Sequence, residues 1–282
     1  MAGLGAIAGV VTRAGVETNV LDLTYWNPVV VARESATLAS IAAGGCDLGA
    51  GAGWNPDDAK ICGVPFPPAP ERLARLREFA EVLLHVWNNS SDGYEGEFYS
   101  CGADLDLGIA PERRPRLLLG ATRPKALGLA GELADVISVY ATLGGELDWP
   151  RWAANSSHAS LGGKVEVALD AATSHGRDLD SLDLHTVTSF VAAADDPGQL
   201  QARVTAATGL DVSTMRDSMM FLTGTFAEAR ETLMERREGT GINYYVFQPF
   251  QVPDDQAFLA FAGASEVRGV WGPSMKDGGP PI

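Results

Sequence analysis

The sequence predicts an α/β fold, a parallel sheet covered by helices. Three observations lead there. Strand-like and helix-like segments alternate along the chain, the order that builds parallel sheets. The strand candidates are short apolar runs rather than alternating ones, as in strands buried on both faces. The chain has 282 residues, 46% of them apolar and 20% charged, enough to bury the core of one large domain or two small ones.

Taken in order, Leu4 to Arg13 reads as a helix ending near Gly15, and Glu17 to Thr24 as the first legible strand. Asn27-Pro28 opens a helix over Val29 to Ala42, with proline where a first turn tolerates it. Gly44-Gly45 stops it, and Cys46 to Ala50 is a short strand running into glycines. After a proline-rich loop, Leu73, Leu76, Ala80, Leu83 and Trp87 recur at helical spacing, which predicts a helix over Glu71 to Trp87. Tyr94 to Tyr99 suggests a small hairpin, Arg116 to Gly120 a strand, Pro124 to Leu133 a helix and Ala134 to Tyr140 the next strand. Ala141 to Gly163, rich in Gly, Ser, Asn and Trp, reads as an inserted loop before a helix over Lys164 to Ala172. Leu184 to Ala192 is a strand candidate, and Asp196 to Ala207 a helix. Thr225 with Glu228 forms a capping box opening a helix through Arg237. Asn243 to Phe247 is the sixth strand, and Gly269 to Ile282 a Gly/Pro-rich tail expected to fray.

Composition narrows the partners. A net charge of −15 repels phosphate backbones, which argues against nucleic acid while leaving room for a local basic pocket. Cys46, Cys62 and Cys101 are odd in number and form no CxxC pair, so neither a disulfide framework nor a zinc site is suggested. No apolar run reaches the roughly 20 residues of a membrane span. Met1 to Val11 is apolar but lacks the charged start of a secretion signal, making the cytoplasm the expected compartment.

Among motifs, Gly3-x-Gly5-x-x-Ala8 with Asp22 downstream imitates a dinucleotide fingerprint. That fingerprint needs a strand to deliver the chain to its first glycine, and only two residues precede Gly3. Gly49-Ala50-Gly51-Ala52-Gly53-Trp54-Asn55 follows a strand, where missing side chains let a flat ring approach the backbone; a plain glycine turn is the alternative. Gly120-Ala121-Thr122-Arg123-Pro124 also leaves a strand and opens a helix. Backbone N–H groups, a hydroxyl and a guanidinium there form a competent phosphate cradle, with an ordinary helix cap as the alternative. His85, His158, His175 and His185 show no HxH or HExxH spacing, so metal catalysis is not expected, and no GxSxG nucleophile elbow is present. His85 reads as structural, His158 and His175 as loop residues, and His185 as a residue near a strand rim.

Several segments together resemble the luciferase-like monooxygenases. They are Tyr25-Trp26-Asn27-Pro28 through Gly44-Gly45, Asp47 to Trp54, Gly63-Val64-Pro65-Phe66-Pro67 with Glu71-Arg72, Leu119-Gly120 through Ala134-Asp135, and Gly224-Thr225 through Tyr245. The resemblance covers about residues 4 to 265 and is nearest to the branch that uses the deazaflavin coenzyme F420. It implies a TIM-type (β/α)8 barrel holding a deazaflavin or flavin at the strand C-termini. A non-proline cis peptide backing the ring maps to Asn19-Val20. The segment after the next strand maps to Gly51 and Asn55. The phosphate region maps to Gly120, Ala121 and Thr122, with Arg123 beside them and Tyr140 and Thr142 at the following strand end. The family carries two further βα repeats, roughly 30 residues or more each, before the strand that matches Glu17 to Thr24. They include ring-contacting and proton-handling residues, so no catalytic residue is assigned here and the expected fold is an N-terminally truncated barrel of about six strands.

The implied activity is hydride transfer between F420 and a small organic substrate. The alternatives are an FMN-dependent monooxygenase of the same fold and a non-catalytic truncated barrel with a binding or dimerisation role. Residues 1–268 form the expected barrel domain. The expected partners are the cofactor and a small-molecule substrate, with a homodimer as an option and no nucleic acid, membrane or metal.

Overall fold

The computed structural model describes residues 1–103, 113–141 and 148–247. Six strands form one sheet: β1 (Val16–Asp22), β2 (Cys46–Gly51), β5 (Arg116–Ala121), β6 (Val136–Val139), β7 (Asp183–Thr188) and β10 (Tyr244–Phe247). They lie in strict chain order, as in a barrel wall, and are the six candidates read from the sequence. A closed TIM barrel has eight. The chain divides into two compact units. One is Met1–Ala121 with Gly128–Ile137 and Ala171–Asp178; the other is Thr122–Leu127, Ser138–Asp170 and Leu179 onward.

In the first unit β1, β2 and β5 run parallel, with Thr18 opposite Leu48 and Leu48 opposite Leu117. The register shifts between Thr18 and Leu21, where the Asn19–Val20 peptide is cis. Leu48, Leu117, Leu118, Phe79, Leu83 and Trp87 are fully buried. Helix α1 is only Ala2–Ala8, shorter than expected, because Gly9 ends it and the chain then turns toward β1. The Gly3–Gly5–Ala8 spacing therefore sits inside a helix, not in a strand-to-helix turn. Helix α2 (Pro28–Ile41) starts where Asn27 accepts from Val29 N and Val30 N. Helix α4 (Ala69–Trp87) packs on it, and the Trp87 indole donates to the Ala32 carbonyl at 3.2 Å. The proline-rich loop contains a further helix, α3 (Pro56–Cys62), capped by Asn55 and closed by Gly63 at φ 69°. Strands β3 (Tyr94–Glu95) and β4 (Ser100–Cys101) form the small antiparallel hairpin.

Bidentate ion pairs tie the sheet ends of this unit. Arg116 meets Asp47 at 2.8 and 2.7 Å, and Arg114 meets Asp135 at 2.9 and 2.8 Å. Helix α5 (Pro124–Leu133) adds Glu132, gripped by Arg77 at 2.7 and 2.6 Å. Planar forks of this kind hold geometry better than single lysine contacts.

In the second unit β7 pairs with β10 in parallel, Tyr244 opposite His185. The stretch read as a loop from Ala141 to Gly163 is largely helical. Asp148 caps α6 (Trp149–Asn155) by accepting from Arg151 N at 3.0 Å, and α7 runs from His158 to Ser174. Gly162 and Gly163 in α7 conceal the helix, since glycine is a poor helix former. The buried stripe Leu161, Val165, Ala168 and Ala172 at helical spacing overrides it. The single strand expected from Leu184 to Ala192 is two strands. Ser189 breaks it, and β8 (Phe190–Ala193) pairs in parallel with β9 (Phe221–Gly224) in a separate sheet. Helices α8 (Gly198–Thr208), α9 (Val212–Asp217) and α10 (Phe226–Thr240) complete the unit. The capping box forms as read: the Thr225 side chain accepts from Glu228 N, and the Glu228 carboxylate accepts from Thr225 N. A small core gathers Phe190, Leu210, Met215, Met220 and Phe221, with the rings of Phe190 and Phe221 stacked at 4.8 Å. The expected tail, Gly269 to Ile282, lies outside the described residues.

Candidate active site

Parallel α/β barrels place their chemistry at the C-terminal ends of the strands. In the first unit that end brings together the cis peptide Asn19–Val20 and the glycine run after β2. The glycines are required by the chain's own packing. An added Cβ at Gly49 would overlap the Thr18 carbonyl oxygen, and one at Gly51 would lie 2.8 Å from Val20 Cγ2. One at Gly53, φ 76°, would lie 2.5 Å from the Asp22 carboxylate. Packing against β1 by itself accounts for the missing side chains along the run. Thr18 locks the approach, its hydroxyl donating to Gly49 O at 2.9 Å and accepting from Gly49 N at 2.8 Å. Asp22 accepts from Thr24 N at 2.9 Å, a turn-forming role.

The loop beyond β2 is held by Arg72. Its Nε donates to Ala52 O at 3.1 Å, its Nη1 to Pro67 O at 2.7 Å, and its guanidinium lies 4.1 Å from the Phe66 ring centre. Asn55 caps α3 with its carbonyl oxygen, accepting from Asp57 N at 3.1 Å. Its amide NH2 has no acceptor among the described residues and remains available to a ligand.

Gly120 and Ala121 end β5, and Thr122-Arg123 turns directly into α5. The first N–H groups of that helix have no partner within it. Arg123 and Lys125 are exposed, and neither side chain is engaged in a hydrogen bond or ion pair among the described residues. Arg77, Arg114 and Arg116 are all paired with carboxylates. The turn thus keeps two free cations beside open donors, a set suited to an anion.

In the second unit Tyr140 follows β6, its carbonyl oxygen accepting from Lys164 Nζ at 2.6 Å. Burial lowers the Lys164 pKa. Tyr140 borders a cavity of about 140 Å³ together with Leu161, Thr186, Ser189, Met219 and Met220. Thr142 lies outside the described residues.

His185 is not at a strand rim. It is the third residue of β7, fully buried, with Nδ1 2.6 Å from Ser138 Oγ. The rings of Tyr140 and Tyr244 meet it edge-on at 6.4 and 5.0 Å. Burial drives its pKa down to about 3, so the imidazole is neutral near pH 7. His85 shares a hydrogen bond with Asp92 O at 2.5 Å, consistent with a structural role. His158 begins α7, and His175, just beyond it, lies 3.8 Å from Glu132. Sequence reading missed the Ser138–His185 contact and the cavity wall. The one legible signal was Ser189, a polar residue interrupting two apolar runs.

The decisive comparison is with whole families. The family described as luciferase-like monooxygenase matches residues 1–245. The chain belongs to the luciferase-like monooxygenase family. Within it, an F420-dependent glucose-6-phosphate dehydrogenase of Microbacterium testaceum is 34% identical over 133 residues, 47% of this chain and 39% of that protein. One from Beutenbergia cavernae is 35% identical over 133 residues, again 47% and 39%. These matches span about two fifths of the curated relatives' length. Solved luciferase-like folds superpose over nearly the whole chain. The coenzyme F420-dependent tetrahydromethanopterin reductase of Methanopyrus kandleri aligns with a TM-score of 0.72 at 19% identity, covering 95% of this chain and 86% of that one. An F420-dependent secondary alcohol dehydrogenase, in complex with an F420–acetone adduct, gives 0.71 at 18% identity over 95% and 83%. No described helix is long and apolar enough to cross a membrane.

Proposed function

We propose that the chain is an F420-dependent oxidoreductase acting on a small organic substrate. The observation that carries this reading is the Thr122–Lys125 turn. In a chain of net charge −15 it keeps two cations that have no partner among the described residues at a helix N-terminus, where an anionic group gains from both the dipole and the free N–H groups. The F420 dependence of the Microbacterium and Beutenbergia relatives favours deazaflavin over flavin.

The donor set fits the phosphate end of such a cofactor. Gly120, Ala121, Thr122 and Arg123 would hold that end, and Asn19, Val20, Gly51 and Asn55 would border the ring, Asn55 through its free amide. When bound, the deazaflavin supplies two-electron hydride chemistry. The protein's part is to fix the strand ends. Thr18 clamps β1 to β2, Arg72 braces the loop beyond Ala52, and Lys164 holds the Tyr140 carbonyl. Rigid support of this kind keeps reacting partners in near-attack geometry.

Fluorescence titration of the purified chain with F420, beside FMN, tests the reading. F420 binds more tightly than FMN, and Thr122→Glu weakens F420 binding at least tenfold with an unchanged circular dichroism spectrum, because a carboxylate repels the phosphate. Tighter binding of FMN, or unchanged affinity in Thr122→Glu, overturns it.

A further inference from the structure

The cavity of about 140 Å³ sits at the C-terminal ends of β6 and β7, bordered by Tyr140 and Ala141 after the first and by Val187 and Ser189 at the second. Its volume matches cavities that accept a single benzene ring. Leu161, Val187, Met219 and Met220 make much of the wall apolar, and the two methionines can adjust to an irregular guest. The hydroxyls around it are not equivalent. Thr186 gives its proton to Val139 O at 2.8 Å. Ser156 Oγ is 2.6 Å from Ser218 Oγ and reaches the Trp152 carbonyl at 2.9 Å. Ser189 is half-buried, its backbone N–H donates to Met220 O at 3.0 Å, and its hydroxyl has no partner among the described residues.

Charge is equally informative. No described residue lining the cavity is ionised. Lys164 is turned to the Tyr140 carbonyl oxygen at 2.6 Å. A phosphate moved into such a site would lose its hydration without gaining a cation.

We infer that this cavity is the substrate subsite and that it selects a small, uncharged, largely apolar ketone or alcohol whose single oxygen is recognised by Ser189. The guest has about six to eight non-hydrogen atoms. A hexose phosphate, about twice that size and anionic, finds no cation among the described lining residues, so the inferred substrate differs from that named for the Microbacterium and Beutenbergia relatives. The assignment rests on the deazaflavin reading for the reaction, and on the cavity alone for the choice of guest.

The test is calorimetric titration of the full chain with cyclohexanone and, separately, with glucose 6-phosphate, each with and without F420. Cyclohexanone binds and glucose 6-phosphate does not. Ser189→Ala weakens cyclohexanone about fivefold, the loss of one neutral hydrogen bond. Ser189→Leu, which fills the cavity from a half-buried position that tolerates the change, weakens it at least twentyfold. Circular dichroism checks that both variants fold. Binding of glucose 6-phosphate more tightly than cyclohexanone, or cyclohexanone affinity unmoved by Ser189→Leu, overturns the inference. F420 uptake without cyclohexanone binding overturns it while leaving the cofactor reading intact. Cyclohexanone binding with these variant effects but no F420 uptake supports the subsite and overturns the cofactor reading.

Discussion

Replacing Gly49 by alanine should cost more stability than any other single methyl group added to the glycine run. The new Cβ would overlap the Thr18 backbone oxygen and lie 2.9 Å from Val20 Cγ1 and 3.1 Å from Leu118 Cδ2. A clash with backbone cannot be relieved by a rotamer change, so the overpacking cost falls at the upper end of about 1–3 kcal/mol. The strands must also part where the Thr18 hydroxyl makes its two bonds to Gly49, at 2.9 and 2.8 Å, each contributing about 1 kcal/mol. Together the expected loss is about 3–5 kcal/mol, a large share of the roughly 5–15 kcal/mol that holds a domain together. Gly51→Ala meets only the end of the Val20 side chain and should cost about 1–2 kcal/mol. Gly128→Ala, in α5 with nothing within 4 Å of the new methyl, should instead gain about 0.5–1 kcal/mol. Urea unfolding followed by far-ultraviolet circular dichroism gives the ranking, with a constant m-value confirming that the native states are comparable. A Gly49→Ala loss below 1 kcal/mol, or a Gly51→Ala loss exceeding it, refutes the argument that β1 is what these glycines accommodate.

Two further outcomes follow from buried groups. Because burial holds the His185 pKa near 3 in the folded chain, below its ordinary 6.5, the stability linked to its neutral form is complete above pH 6.5. That stability drains away as the pH falls toward 3, and reaches a loss of about 2 kcal/mol at pH 5. His185→Gln removes that part of the slope, so wild-type and variant curves run parallel between pH 5 and 7.5 only if the reasoning is wrong. Arg236 is 3% exposed, and its Nη2 donates to the carbonyls of Arg216, Ser218 and Phe221 at 2.9, 2.9 and 2.8 Å. Burial lowers its pKa to about 10, which still leaves it charged at neutral pH. Arg236→Met strands those acceptors and should cost about 3–5 kcal/mol in urea unfolding; a loss under 1 kcal/mol counts against it.

The sequence by itself determined the six sheet strands, the long helix α4 and the capped start of α10, because each is specified by neighbours within a few residues. Apolar runs between glycines gave the strands, a stripe at helical spacing gave α4, and Thr225 with Glu228 gave the cap. Local signals also located the strand-to-helix turn at Gly120–Arg123. Tertiary structure decided what local signals could not. Gly162-Gly163 masked α7 until Leu161, Val165 and Ala168 found a core to enter. Leu184 to Ala192 became two strands because Phe190 pairs across to Phe221, 31 residues further on, which no window of neighbours contains. The glycines after β2 read as room for a flat ring or as a plain turn; only the tertiary structure adds that a Cβ at Gly49, Gly51 or Gly53 would meet Thr18, Val20 or Asp22. His185 acquired its lowered pKa only from burial, beside Ser138, 47 residues away in sequence. Spacing fixes which face a residue takes on its own element; which distant residue fills the volume opposite is set by packing, and there the candidate site acquires its chemistry.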